Sequence, residues 1–232
     1  MGYNGGVTHH PPEPSVLVLG TTNAAKVREL VELLAPHGIE CRSLRQVKGA
    51  VEVEETGDTF AANAALKATS QALALHAWVL AEDSGLVVPA LDGAPGVRSA
   101  RFSGPASDGE TESTDERNNS LLLARMAGLA GPRRSAHYAC HAALADPSGS
   151  VVATSAGVCH GVIAEGRRGS GGFGYDPLFV VPECWRTFGE IAPAVKAVIS
   201  HRARAMRAIL PAIVRALGAA AVPCGAAVSR PG

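Results

Sequence analysis

Residues Arg168–Pro177 read RGSGGFGYDP, and within them Gly169, Gly171 and Gly174 spell G-x-G-x-x-G. That spacing marks a dinucleotide-binding fold where the glycines follow the first strand, open a helix and precede an acidic residue roughly 20 positions on. Here Tyr175-Asp176-Pro177 follows the last glycine. Proline cannot continue a helix interior, and the run Leu178–Val181 after it reads as a strand. The stretch also lies far from the N-terminus, behind a hairpin partner. These features argue against a Rossmann unit. Two readings remain: a solvated glycine loop, or a loop whose glycines let backbone approach a ligand while Phe173 and Tyr175 offer flat faces to a base.

Outward from that loop, strands and helices alternate early and pair as hairpins later. Ser15–Gly20 is a short apolar run ending in glycine, a buried strand. Ala24–Ala35 follows with Val27, Leu30, Val31 and Leu34 at helical spacing, and Pro36 and Gly38 end it. A second strand and an acidic strand or loop, Val51–Gly57, come next. Asp58 or Thr59 then caps a long helix running to about His76. Trp78–Val88 (WVLAEDSGLVV) reads as strand, polar turn, strand, and Leu91–Glu110 as turn-rich loop. Glu112–Met126 is a further helix. Ala136–Ile163 carries two or three strands with a turn at Asp146–Gly149. A short helical piece around Ala194–Ile199 precedes a last helix over Ser200–Leu217. The expected fold is an α/β domain around a mixed β-sheet flanked by helices, with no internal repeat.

Bulk properties narrow the function. Lys plus Arg equals Asp plus Glu at 21 each, so nothing argues for general affinity to nucleic acid or an anionic membrane. The five cysteines are scattered with no C-x-x-C pair, which suits a reducing cytoplasm and gives no zinc or disulfide framework. No apolar run approaches the roughly 18 residues of a membrane span. Residues 1–14 read as a disordered leader, 15–217 as one domain and 218–232 as a flexible tail. The expectation is a cytoplasmic protein.

Four further polar clusters bear on the choice between the two readings of the glycine loop. Thr21–Lys26 (TTNAAK) lies between the first strand and first helix. It is no Walker loop, yet hydroxyls, an amide and a lysine at a helix start suit phosphate oxygens. The plainer alternative is an N-cap with a surface lysine. Glu54 and Glu55 precede a turn, and Asn63 and Lys67 share a face of the next helix. In AEDSG, Glu82 and Asp83 are placed at a strand end with Ser84-Gly85 turning the chain. Carboxylates so placed suit Mg²⁺, which prefers oxygen ligands, or else belong to a capped turn. Lys196, Ser200, His201 and Arg202 gather at a helix start, where cations are unfavourable unless an acceptor offsets them. His137 and His141 invite a metal reading. Four residues along a strand separate them by about 13 Å, too far to share one ion.

Taken in order, TTNAAK, EETGDTFAANAALKA, AEDSGLVVPALDGAPGVRSARFSG, GGFGYDPLF and KAVISHR resemble the noncanonical purine nucleoside triphosphate pyrophosphatases, the inosine triphosphatase or HAM1-like family. The likeness runs from about Val16 to Leu217. It implies an elongated mixed sheet in two lobes with an active-site cleft between them, and a homodimer. The implied activity is Mg²⁺-dependent hydrolysis of ITP, dITP and XTP to the monophosphate and pyrophosphate, which clears deaminated purines from the nucleotide pool. By motif, the segment Thr21, Thr22, Asn23, Ala24, Ala25 and Lys26 holds the triphosphate, joined by Asn63 and Lys67. Glu55 and Asp83 are the implied metal ligands, Asp83 the catalytic acid–base group and Ser84 a substrate contact. Phe173, Gly174, Tyr175 and Asp176, with Lys196, His201 and Arg202, form the implied nucleobase pocket. The glycine loop is thus a base loop, and its dinucleotide spelling is coincidental.

Three departures stand out. Ala62 replaces a frequent acidic residue, Glu82 a frequent aspartate, and Gly157–Gly161 (GVCHG) a frequent G-x-W-P-G; the last is expected to touch a strand connection or interface. Two competing readings are a Maf-like pyrophosphatase acting on pyrimidine or modified triphosphates, and a catalytically silent nucleotide binder.

Overall fold

The computed structural model describes residues 16–106 and 111–218. The leader over residues 1–14 and the tail beyond Gly218 lie outside the described residues.

Strand β1 (Leu17–Leu19) is wholly apolar and buried. It leads into α1 (Ala24–Leu34), whose Leu30 and Leu34 face inward. β2 (Cys41–Ser43) pairs parallel with β1, and so does β3 (Val79–Val87), reached through α2 (Phe60–Leu75). Parallel pairing needs such crossovers, since a tight turn only reverses a chain. After α3 (Thr114–Arg125), the long strands β4 (Ser135–Ala145) and β5 (Val151–Ile163) form the expected hairpin. β6 (Phe179–Val181) and β7 (Arg186–Thr187) extend it antiparallel. The result is one seven-stranded mixed sheet in the order β2-β1-β3-β4-β5-β6-β7. α4 (Pro193–Ile199) and α5 (His201–Leu217) close the chain. Among the described residues, no helix is long and apolar enough to cross a membrane.

The two faces of the sheet are covered differently. On one, Leu30 and Leu34 of α1 and Met206, Ile209 and Ile213 of α5 pack on Leu17, Leu19, Leu80 and Leu144. On the other, Ala64, Ala68 and Ala72, one turn apart on α2, rest on Val18, Val79, Ala81 and Ala143. Small side chains there bring α2 close to the sheet. A third cluster around Tyr138, Phe179, Phe188 and Leu122 fills the space beneath the glycine loop.

Three details differ from expectation. Trp78–Val88 is not strand, turn, strand: Val79–Val87 is one continuous strand, paired residue by residue with β4, Ser84 opposite Cys140 and Gly85 opposite Ala139. Gly85 serves close approach instead of reversal, because a Cβ there would lie 2.6 Å from the Gly96 carbonyl oxygen. Gly157–Gly161 lies inside β5, so its altered residues sit in a strand and not in a connection. β7, two residues long, was beyond any periodicity to foresee.

A continuous β3 has a functional consequence. Successive strand residues point to opposite faces, so Glu82 meets α1 and α5 while Asp83 meets α2.

Candidate active site

A cavity of about 620 Å³ opens over the middle of the sheet. Three groups of predicted residues line it: Thr21, Thr22, Asn23 and Lys26 from the β1–α1 turn; Glu55, Lys67, Asp83 and Ser84; and Phe173–Asp176 with Lys196, His201 and Arg202.

At the helix start, Asn23 is the N-cap, and its side-chain oxygen accepts from the backbone N–H groups of Ala25 (2.9 Å) and Lys26 (3.2 Å). Ala24 and Ala25 are not among the residues lining the cavity, and the Ala25 amide is held by the cap. Thr21 and Thr22 remain open to it.

On the α2 face, Lys67 Nζ sits between two carboxylates, 2.6 Å from Glu55 Oε1 and 3.2 Å from Asp83 Oδ1. Arg101 binds the other Glu55 oxygen at 3.1 Å. Asn63, expected on the phosphates, is fully buried and does not line the cavity. Its amide nitrogen donates to Asp83 Oδ2 (3.2 Å) and its oxygen accepts from the Gly57 N–H (2.8 Å), so it orients Asp83. The two carboxylates titrate apart. Burial pushes Asp83 above the usual carboxylate range, and the nearby Lys67 and Lys26 do not fully offset it. Burial also pushes Glu55 up, but the hydrogen bond and charge of Lys67, with Arg101 and Lys26, outweigh it and hold Glu55 low. Divergent environments of this kind separate a proton acceptor from a fixed anion.

On the other face, a chain of buried and half-buried ions links the β1–α1 turn to the glycine loop. Glu82 Oε1 meets Lys26 Nζ at 3.1 Å and Arg202 Nη2 at 3.1 Å. Arg202 also donates to Ser84 Oγ (2.9 Å) and to Glu29. Glu29 and Asp176 in turn hold Lys196 Nζ at 2.7 and 2.6 Å. Burial works against the Glu82 anion, yet Arg202, Lys26 and Lys67 hold its pKa well below the usual value. Glu29 went unrecognised in the sequence. Its spacing of three from Lys26, which places the two on one side of α1, was the available signal.

The glycine-loop end of the cavity is aromatic and cationic. Lys196 Nζ lies 4.9 Å from the Phe173 ring centroid and the Arg202 guanidinium 5.7 Å from it. His201 stacks flat on Tyr138 with centroids 4.6 Å apart. Burial and the charge of Arg202 hold the His201 pKa well below its ordinary value, so the ring is neutral. Its Nδ1 is buried and has no hydrogen-bond partner among the described residues. Asp176 anchors the loop by accepting from the Phe173 N–H at 2.9 Å. Tyr138, Thr114 and Asp115 also line the cavity and carried no distinguishing pattern in the sequence. His141 stacks on Phe60 and His137 tilts against His160, away from this chemistry.

The buried neutral His201 has a consequence for stability. Its folded-state pKa is depressed below 6.5, so its contribution is complete above that value and is lost as the pH falls from there toward the folded-state pKa. Glu82, Glu29 and Glu55, depressed below 4.5, add the same sign of effect only at lower pH. His137, lowered by burial and by His160, acts with the same sign in the same window, so thermal melts should begin to fall just under pH 6.5, His201 contributing up to about 1.4 kcal/mol per pH unit. In a His201→Gln variant that first decline should be reduced. A decline unchanged by the substitution would assign it elsewhere.

Comparisons with known proteins agree with this architecture. A family model described as the Ham1 family matches residues 17–212. The chain is 50% identical over 199 residues to a dITP/XTP pyrophosphatase of Rhodopirellula baltica, covering 86% of this chain and 93% of that protein. It is 48% identical over 191 residues to a dITP/XTP pyrophosphatase of an Exiguobacterium strain, covering 82% of this chain and 93% of that one. Among solved structures, a HAM1 protein from Coxiella burnetii superposes with a TM-score of 0.75 at 35% identity, over 87% of this chain and all of that one.

Proposed function

The chain belongs to the Ham1 family, and on that premise we propose that it hydrolyses ITP, dITP and XTP to the nucleoside monophosphate and pyrophosphate. One observation carries the reading: a single cavity holds both the Glu55–Lys67–Asp83 cluster and the cation-backed ring of Phe173. The first suits a phosphate chain, the second a base.

Donor counting supports the choice of base. Lysine offers three N–H donors and arginine five, and neither accepts. Among the described residues, Lys196 engages Glu29 and Asp176, while Arg202 engages Glu82 through Nε and Nη2, Glu29 through Nη1 and Ser84 through Nη2. Each cation therefore keeps one donor to spare. A 6-oxo purine presents an acceptor to such donors, whereas adenine presents a 6-amino donor. A site built to hydrogen-bond rejects a mismatch of this kind by as much as roughly 10⁴-fold.

The phosphate end supplies positioning and charge. Asn23 fixes the start of α1, Lys26 and Lys67 face the cavity, and the helix N-terminus favours anions. Asp83 accepts the proton of the water that attacks the α-phosphorus; the new P–O bond forms as the bond to the β-phosphate bridging oxygen breaks. Pyrophosphate leaves against Lys26 and Lys67. Among the described residues, no three His, Cys, Asp or Glu gather into a metal-holding group. Glu55 and Asp83, already bridged by a cation, nonetheless fit Mg²⁺, an ion bound by one or two carboxylates together with waters and substrate phosphates. When bound, it would neutralise phosphate charge and acidify a water. Cytoplasmic residence and a homodimer, the latter testable by sedimentation, complete the proposal.

Hydrolysis in water labelled with heavy oxygen tests the bond cleaved. Label in the monophosphate supports attack at the α-phosphorus, and label in pyrophosphate contradicts it. Lys67→Ala should weaken ITP binding by about tenfold, the loss of a charge-assisted contact, while IMP binding changes little. Equal losses for both ligands, by calorimetry, would remove Lys67 from the β- and γ-phosphates.

A further inference from the structure

The base loop is held from outside the sheet. Gly174 has a left-handed φ of 60°. Its N–H donates to Asp115 Oδ2 at 2.7 Å, and its carbonyl accepts from Asn119 Nδ2 at 2.9 Å. Asp115 and Asn119 are four residues apart, so one face of α3 grips the peptide groups on both sides of this glycine. A second tie lies upstream, where Arg167 Nη2 donates to the Glu116 carbonyl (2.7 Å) and to Ser120 Oγ (3.0 Å). α3 itself is set by a capping box between Ser113 and Glu116.

We infer that Asp115 is a positioning residue for base recognition, fixing the Gly174 peptide so that Phe173 and Tyr175 keep the orientation the base requires. The inference rests on the functional reading above and adds a specific element to it. Glycine at a positive φ has the widest backbone freedom of any residue, so without external ties the peptides flanking it reorient easily. Downstream, Tyr175 is anchored through its hydroxyl to the Ser99 carbonyl at 2.8 Å, and Phe173 through its N–H to Asp176. The peptide between Phe173 and Gly174 has its carbonyl held within the loop by the Asp176 N–H at 3.2 Å, and its N–H held only from α3 among the described contacts. Asp115 is solvent-exposed and also lines the cavity, so the tie is made at the mouth of the site itself.

The test is a series at Asp115 read by steady-state kinetics with ITP and by calorimetry with IMP, which needs no turnover. Asp115→Ala should raise KM for ITP and Kd for IMP by about tenfold, with kcat held within about threefold. Asp115→Asn keeps an acceptor for the Gly174 N–H and should recover most of that loss. Asn119→Ala, which frees the other peptide, should shift KM in the same direction. An unchanged KM and Kd in Asp115→Ala overturns the inference. So does an asparagine variant as impaired as the alanine one, since that assigns the effect to charge at the cavity mouth. Inactivity of the parent protein toward every nucleotide would sink the functional reading, whereas an active parent with an unaffected Asp115→Ala variant sinks this inference alone.

Discussion

Asp83→Asn is expected to lower ITP turnover roughly 10²- to 10⁴-fold, the range a general base contributes, while nucleotide affinity stays within about threefold. Asparagine keeps the shape of the side chain and one acceptor oxygen, enough for Lys67 or Asn63 but not both, and cannot take a proton from water. Asp83 is suited to that task because burial raises its pKa, while Glu55 across the same lysine is held low and stays an anion. The check is kcat beside calorimetric affinity for ITP. A variant that turns over at the parent rate removes Asp83 from proton transfer. One that loses binding and turnover together makes it a binding group.

A comparably large effect on stability is expected from Arg202→Met. The guanidinium is almost wholly buried and holds two carboxylates, Glu82 and Glu29, of which Glu82 is itself buried. Its removal leaves buried Glu82 with Lys26 alone and Glu29 with Lys196 alone, an under-compensated pair of carboxylates, at a cost of about 3–5 kcal/mol. For a chain of this size that is a fall in Tm of about 6–20 °C. Adding Glu82→Gln to the Arg202→Met background removes the buried charge left with Lys26 alone and should restore part of the loss. A single variant that melts within about 2 °C of the parent would show that the network can reorganise around the missing cation.

The sequence disclosed which residues gather in the cavity more fully than how they are wired to one another. Short polar side chains that satisfy free N–H groups marked both helix starts: Asn23, read as a cap or a phosphate contact, is a cap, and of Asp58 and Thr59 the structure makes Thr59 the cap. The proline after Tyr175-Asp176 ruled out a helix following the glycine loop, and β6 follows it. AEDSG misled, since small polar residues beside a glycine are equally compatible with a turn and with a strand pressed against a neighbouring loop. Only the β4 ladder and the proximity of Gly96 decide between them. Glu29 and Asp115 were missed for a related reason. Each stands on a helix that carries another acidic residue, Glu32 or Glu116, and only partners 167 and 59 residues away in the chain give it a role. Asn63 was expected on phosphate yet lies fully buried beside Asp83, because a face of a helix can be read from spacing whereas depth of burial cannot.

The central claim is that one cavity selects a 6-oxo purine and cleaves its triphosphate between the α and β positions. Product analysis of the purified protein with Mg²⁺ and a panel of ITP, XTP, GTP, ATP and dTTP tests it most directly. The account predicts monophosphate and pyrophosphate from ITP and XTP, with ATP and dTTP left essentially intact. Orthophosphate as the product, a preference for dTTP, or ITP bound without turnover would contradict it.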